Sequence, residues 1–269
     1  MNVKRVTTAL IGFPLVALVL ILGNIYIVDI AFSAIAILSL YEYFHAFKST
    51  GKANPIQWVG YILAAAISLI HVIPTEYTKN ALQLLMPSIV VILFLMGIVT
   101  DMKINVKDIA ITLLGIFYIL GFIVFLPMLR GVGNGVYLIW YLIFIAWGTD
   151  IFAYLIGKKF GKHKFSKISP NKSIEGCIAG IVGAVVMSLG YTVALNYFAG
   201  FSIPYAYIVF VSVALSILSQ IGDFAASSIK RYADLKDFSN LIPGHGGMLD
   251  RIDSLIFIAP FAYFLLNIL

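Results

Sequence analysis

Runs of about 20 apolar residues recur along almost the whole 269-residue chain, and each is long enough to cross a hydrocarbon core of roughly 30 Å. A segment in that setting must satisfy its backbone polar groups internally, which leaves helices or a closed barrel. The runs are continuous rather than alternating, so they predict helices. Composition agrees: 61% of residues are hydrophobic, 11% are charged and mean hydropathy is +1.01, whereas a soluble domain is nearer half apolar and a quarter charged. The expected fold class is an all-α integral membrane protein, a polytopic bundle of about nine transmembrane helices. The predicted spans are 6–23, 27–47, 55–73, 81–99, 107–128, 134–156, 176–198, 204–228 and 250–268. No polar stretch is long enough for a soluble domain. The predicted organisation is N-terminal transmembrane helices over 1–130 and C-terminal ones over 131–269, forming one continuous membrane domain. Lys4-Arg5 followed by apolar residues resembles a signal peptide, but no small-residue cleavage site follows, so the first run reads as a retained helix. The single cysteine, Cys177, excludes an intramolecular disulfide and reads as a small apolar helix residue.

The net charge is +6, and its distribution is topological. With the N-terminus in the cytoplasm and nine alternating crossings, only Lys79 and Arg130 of the 18 basic residues fall on the outer side. That asymmetry follows the positive-inside rule. It predicts a cytoplasmic N-terminus and an outer C-terminus, and it accounts for the basic balance without nucleic acid. It also puts both polar loops, 157–175 and 229–249, on the cytoplasmic face.

Charge inside spans is costly and points to a site. Asp150 lies in the sixth run and Asp223 in the eighth, while Asp250 and Asp253 open the ninth. All four fall near the cytoplasmic end of their spans, and Asp250 and Asp253 share a helical face. Carboxylates converging at one depth need cations, either lysine and arginine or a metal such as magnesium, which one or two carboxylates hold together with substrate phosphates. The structural alternatives are helix capping for Asp250 and Asp253, and an ion pair or interhelical hydrogen bond for Asp150 and Asp223. Asp29 and Glu42 lie nearer span ends and read as interface residues.

The segment 157–176 carries six lysines and His163. Most of these suit anionic lipid headgroups. Within it, Ser169-Pro170-Asn171-Lys172-Ser173 leads into a helix start, where free amides and a lysine make a phosphate site. The pattern is not a Walker A loop. The Gly244-His245-Gly246-Gly247 turn would let backbone approach a ligand. No histidine and cysteine set has zinc spacing. Acidic groups, basic groups and glycine turns together suit a phosphorylated substrate and a divalent metal, because phosphoryl-type transfer rests on positioning and charge neutralisation.

The segment 227–253 reads SSIKRYADLKDFSNLIPGHGGMLDRID, and eight of its 27 residues are charged. It resembles the signature of the phosphatidate cytidylyltransferases, also called CDP-diacylglycerol synthases. Ser227, Lys230, Arg231, Lys236, Asp237, Pro243, His245, Gly246, Gly247, Asp250, Arg251 and Asp253 all stand at matching positions. Upstream, Asp150, Ala153, Tyr154 and Gly157, then Ser169, Pro170, Lys172, Ser173, Glu175 and Gly176, resemble the same family, with Ser173 where threonine is common. The resemblance implies a reaction of CTP with phosphatidic acid to give CDP-diacylglycerol and pyrophosphate, with Mg2+ and with a second cation left open. It implies metal binding by Asp223, Asp250, Asp253 and Asp150. Lys230, Arg231, Lys236 and Arg251 would neutralise phosphate charge, with His245 beside them. Nucleotide contacts would come from Ser169, Asn171, Lys172, Ser173, Gly246 and Gly247. The implied partners are CTP, phosphatidic acid, membrane lipid and a second copy in a homodimer. The implied location is a bacterial cytoplasmic membrane with the site facing the cytoplasm.

Two other readings compete. An ion-coupled transporter would place its acidic residues nearer the midplane, with broken helices and repeat symmetry; here charge gathers at one surface and no repeat is evident. A CDP-alcohol phosphotransferase would carry an Asp-Gly-x2-Ala-Arg run, which is missing.

Overall fold

The computed structural model describes residues 3–268 except 167, 168, 171, 243 and 245, with backbone alone for residues 3–9, 11, 75, 76 and 78–82. Among the described residues the chain is helical, with two isolated bridges and no strand. The helices are α1 (Val3–Leu22), α2 (Ile25–Ser49), α3 (Gln57–Leu69), α4 (Thr75–Val99), α5 (Val106–Gly131), α6 (Gly135–Phe160), α7 (Ile174–Phe198), α8 (Tyr205–Tyr232) and α9 (Leu249–Leu266). Each apolar run of the sequence is therefore helical. Among the described residues five helices, α2, α5, α6, α7 and α8, are long and apolar enough to cross a membrane. The chain is a helical membrane protein.

The chain divides into two compact units. One comprises Met1–Gly131 with Tyr232–Arg251, and the other Val132–Arg231 with Ile252–Leu269.

The first unit is organised around α2. Asn24 opens this helix by accepting from the Ile27 amide at 2.9 Å, which satisfies a donor that a helix start leaves free. Its buried face carries Tyr43, Phe44 and Phe47. Gly60 of α3 and Gly115 of α5 admit these rings, since a Cβ would stand 2.9 Å from Phe44 at the first and 2.6 Å from Tyr43 at the second. Asn105 and Asp108 form a reciprocal capping box at the start of α5. Asp108 also accepts from the Asn54 amide at 2.6 Å, so the loop before α3 is tied to α5.

Asp29 and Glu42 depart from their reading as interface residues. Both are buried, at 0% and 1% exposure, because each has internal donors. Asp29 pairs with His71 Nδ1 at 2.9 Å, and Glu42 takes three bonds, described below.

In the second unit α6 and α7 pack closely through small residues. A Cβ on Gly148 would lie 3.0 Å from Ala184 Cα, and one on Gly180 would lie 2.8 Å from the Thr149 carbonyl. Buried hydroxyls link the same helices and α8: Tyr141 with Thr192 at 2.8 Å, Ser212 to Ser188 at 2.8 Å and Thr149 with Ser216 at 2.7 Å. Between membrane helices the hydrophobic effect contributes little, so close backbone approach and such hydrogen bonds carry the association. Gly180→Val should therefore force the α6 backbone away and cost ~1–3 kcal/mol. Thermal unfolding in detergent checks this, and a wild-type midpoint would contradict the packing.

Candidate active site

The second unit holds three of the four carboxylates singled out from the sequence. Asp223, on α8, is ion-paired with Lys172. The ammonium of Lys172 also lies 4.3 Å from the centroid of the Phe224 ring, and Phe165 stacks on that ring at 5.0 Å. Lys172 is placed by a small turn in which its amide donates to the Ser169 carbonyl at 3.1 Å and its carbonyl accepts from Phe165 at 3.1 Å. One residue on, the Ser173 hydroxyl caps α7 by accepting from the Gly176 amide at 3.1 Å. Glu175 accepts from His163 Nδ1 at 2.7 Å and from the Lys162 amide at 3.2 Å, so the lysine-rich loop is folded onto the start of α7.

Asp253, on α9, is 7% exposed and accepts from the Ser254 amide at 2.7 Å. It lies in the electrostatic field of Asp223 and Asp150, which oppose its charge, and of Lys230, which answers it. Lys230 is itself buried at 8% exposure. Gly222 makes the α8–α9 approach close, since a Cβ there would be 3.2 Å from the Asp253 carbonyl and 2.5 Å from Phe257 Cβ. Asp150 is exposed on α6. Ser219, one turn before Asp223, has a buried hydroxyl with no hydrogen-bond partner among the described residues.

The first unit holds the glycine turn. Ile242 and Gly246 exchange both backbone hydrogen bonds, at 2.8 and 3.2 Å. Gly246 has φ +86°, a left-handed conformation that glycine adopts without the strain a Cβ brings. Asp250 Oδ2 accepts from the Phe238 amide at 2.9 Å and the Gly247 amide at 3.1 Å. The amides of Gly246 and Gly247 are thus engaged within the loop rather than presented outward, contrary to the sequence expectation. What the glycines contribute is the lack of a side chain. A Cβ on Gly247 would lie 2.6 Å from Glu42 Oε2 and 3.0 Å from Asp250 Oδ2. The same loop is held at its start, where Asp234, at φ +58°, pairs with Lys52 at 2.7 Å, and Tyr232 packs on Phe47 at 6.1 Å.

Glu42 is the buried carboxylate on which the ends of this loop converge, and its sequence position alone does not show that. Its carboxylate accepts from the Ser239 hydroxyl at 2.6 Å, the Met248 amide at 2.8 Å and the Leu249 amide at 2.8 Å. The signal is an acidic residue within an apolar run, and its place near the end of that run hides it.

The sequence profile of the Cytidylyltransferase family matches residues 3–269. The chain belongs to this family. A phosphatidate cytidylyltransferase of Bacillus subtilis (strain 168) is 44% identical over 133 residues, a match spanning 49% of this chain and 48% of that protein. One of Staphylococcus aureus (strain COL) is 32% identical over 272 residues, spanning 98% of this chain and 97% of that protein. One of Staphylococcus haemolyticus (strain JCSC1435) is 29% identical over the same length, with the same two shares.

Of the residues expected at the site, the structure brings Asp223, Asp253, Lys172 and Lys230 into one network of charges in the second unit. Gly246, Gly247 and Asp250 form a second network in the first. Arg231, Lys236 and Arg251 are exposed, and Ser169 is partly so. Asn171 and His245 lie outside the described residues. Among the described residues no three of His, Cys, Asp and Glu stand together as metal ligands. Two carboxylates with a partnerless buried hydroxyl one turn away still fit magnesium, which takes oxygen ligands and completes its shell with water and phosphate.

Asp250→Ala should loosen the loop measurably. A hydrogen bond to a charged acceptor contributes ~1.5–3 kcal/mol, so cleavage of segment 238–247 by added protease should accelerate about tenfold or more. Asp250→Asn, which keeps one acceptor oxygen, should fall between. Equal cleavage rates for all three would contradict the tether.

Proposed function

We propose that the chain transfers a cytidylyl group from CTP to phosphatidic acid, forming CDP-diacylglycerol and releasing pyrophosphate. The observation that carries this reading is the acidic and basic segment 227–253. It is held by amide and ion-pair contacts beside membrane-length helices, in a chain 32% identical, nearly end to end, to a relative named phosphatidate cytidylyltransferase.

The reaction joins a phosphate oxygen of phosphatidic acid to the α-phosphorus of CTP and breaks the bond to the β-phosphate bridging oxygen. The nucleophile, a phosphate monoester, is already substantially ionised near neutral pH, so no strong base is needed from the protein. The chain's task is to hold polyanions together. Lys230, Arg231, Lys236 and Arg251 neutralise phosphate charge. Lys172, set by its turn beside Ser169, is poised to exchange its bond to Asp223 for one to phosphate. Ser173 holds the start of α7 under that lysine. Gly246 and Gly247, with His245, shape a nucleotide loop, and Asn171 is a further proposed nucleotide contact. Asp223 and Asp253, with Asp150, would hold a magnesium ion, and Asp250 is a proposed metal ligand as well. Magnesium bound there supplies charge neutralisation on the phosphates.

The proposal extends to nine crossings, a cytoplasmic N-terminus and an outer C-terminus. The placement of the basic residues supports that orientation. It puts the site on the inner face of a bacterial cytoplasmic membrane, where water-borne CTP and bilayer-borne phosphatidic acid meet, in a homodimer in contact with membrane lipid.

Purified enzyme should release pyrophosphate from CTP only when phosphatidic acid is added. Chelation with EDTA should abolish this and magnesium restore it. Asp223→Ala, Asp250→Ala and Asp253→Ala should each lose roughly a hundredfold or more in kcat, equivalent to ~3 kcal/mol of transition-state stabilisation. Near-normal turnover by Asp250→Ala and Asp253→Ala at ordinary magnesium would sink the metal assignment, and no pyrophosphate from the wild type would sink the function.

A further inference from the structure

The helix that carries Asp250 is preceded by a residue whose side chain caps poorly. Met248 precedes it, and a thioether is at best a weak acceptor. Yet the amides at its start are satisfied, because Glu42 reaches them from α2. Both the Met248 and Leu249 amides donate to this carboxylate at 2.8 Å, and the Ser239 hydroxyl does so at 2.6 Å. The three donors come from both ends of the glycine turn, some 200 residues along the chain from Glu42, with separations of 197 to 207. Glu42 is 1% exposed, and a carboxylate so buried persists only when its lone pairs are answered. A helix-packing role alone would be served better by an apolar residue.

We propose that Glu42 is a positioning residue for cytidylyl transfer, which sets the first turn of α9 and the glycine loop before it, and so determines how CTP is held. It touches neither substrate. It acts through Ser239, Met248 and Leu249 on the turn bearing Asp250. Gly247 lies against both carboxylates, because a Cβ there would stand 2.6 Å from Glu42 Oε2 and 3.0 Å from Asp250 Oδ2, so that Glu42 would have to shift. Charge-assisted bonds of this kind are short, strong and directional, so they fix the rotation of the turn as well as its place. The inference rests on the cytidylyltransferase reading above and adds a residue from the N-terminal part of the chain to its machinery.

The test separates positioning from stability. Glu42→Gln keeps the size but turns an N–H towards groups that are themselves donors. Its kcat/KM for CTP should fall at least tenfold, while the KM for phosphatidic acid in mixed micelles stays within about twofold. Glu42→Leu, which suits an apolar helix, should lose as much even if it purifies better. Ser239→Ala should lose a few-fold alone and add little to Glu42→Gln, since both act through one contact. A purely structural role predicts lower yield or melting temperature with unchanged CTP constants per folded enzyme, and that outcome overturns the proposal. Should Glu42→Gln not survive purification, Gly247→Ala, whose methyl would stand 2.6 Å from the Glu42 carboxylate, must show the same CTP-selective loss, and wild-type constants there overturn it. A wild type that releases no pyrophosphate overturns the functional reading and this inference together. An active wild type with an unaltered Glu42→Gln overturns this inference alone.

Discussion

A carboxylate packed among apolar helices needs its charge answered, and this chain answers it in two ways. In the second unit the partners are lysines: Lys172 on Asp223, with Lys230 in the field of the buried Asp253. In the first unit the partners are N–H and O–H groups, with Glu42 and Asp250 drawing donors from one loop. The difference has a chemical consequence. An ammonium ion can give up its carboxylate when a stronger cation or a phosphate arrives, since both exchanges keep charge balanced. A backbone amide has no such freedom, so the bonds from Glu42 and Asp250 specify shape. One set is suited to exchange with ligands and the other to holding a loop still.

Close approach is the second requirement, and it explains where the glycines stand. Gly222 removes the side chain that would collide with Phe257 and the Asp253 carbonyl, and Gly247 the one that would strike Glu42. Gly148 and Gly180 do the same between α6 and α7. None of these four has the positive φ that marks a glycine needed for its backbone. They are needed for space. Gly246 differs, because its left-handed conformation lets the loop close on Ile242.

Much of this was legible in the sequence, and the parts that were not share a cause. Apolar runs of membrane length marked the helices, because hydrocarbon imposes both length and hydrogen bonding on a segment. Asp223 and Asp253 stood out because charge within an apolar run has few explanations. The start of α7 at Ser173 followed from local capping chemistry. Glu42 and Asp29 read as interface residues from the sequence, and the structure buries them, because what decides burial is the partner. His71 is 42 residues from Asp29, and Ser239 is 197 from Glu42. No local pattern announces such partners. The glycine amides failed for the opposite reason. The local pattern was right about the turn but silent on which acceptors its donors would find.

The distribution of roles follows from what cytidylyl transfer demands. With an ionised phosphate as nucleophile and pyrophosphate as leaving group, little covalent work falls to the protein, and catalysis resides in placing several negative charges close together. Such a site gains more from rigidity than from reactive side chains, because each ångström of misplacement weakens every charge contact together. A loop of glycines, Asp250 and exposed cations would be a poor rigid body if left to itself. Anchoring it to a carboxylate on a long apolar helix, at a point where Tyr43, Phe44 and Phe47 already fix that helix in a packed core, transfers the stiffness of the membrane bundle to the loop. The N-terminal helices, which carry no signature residue of the reaction, then have a chemical function as well as a membrane one.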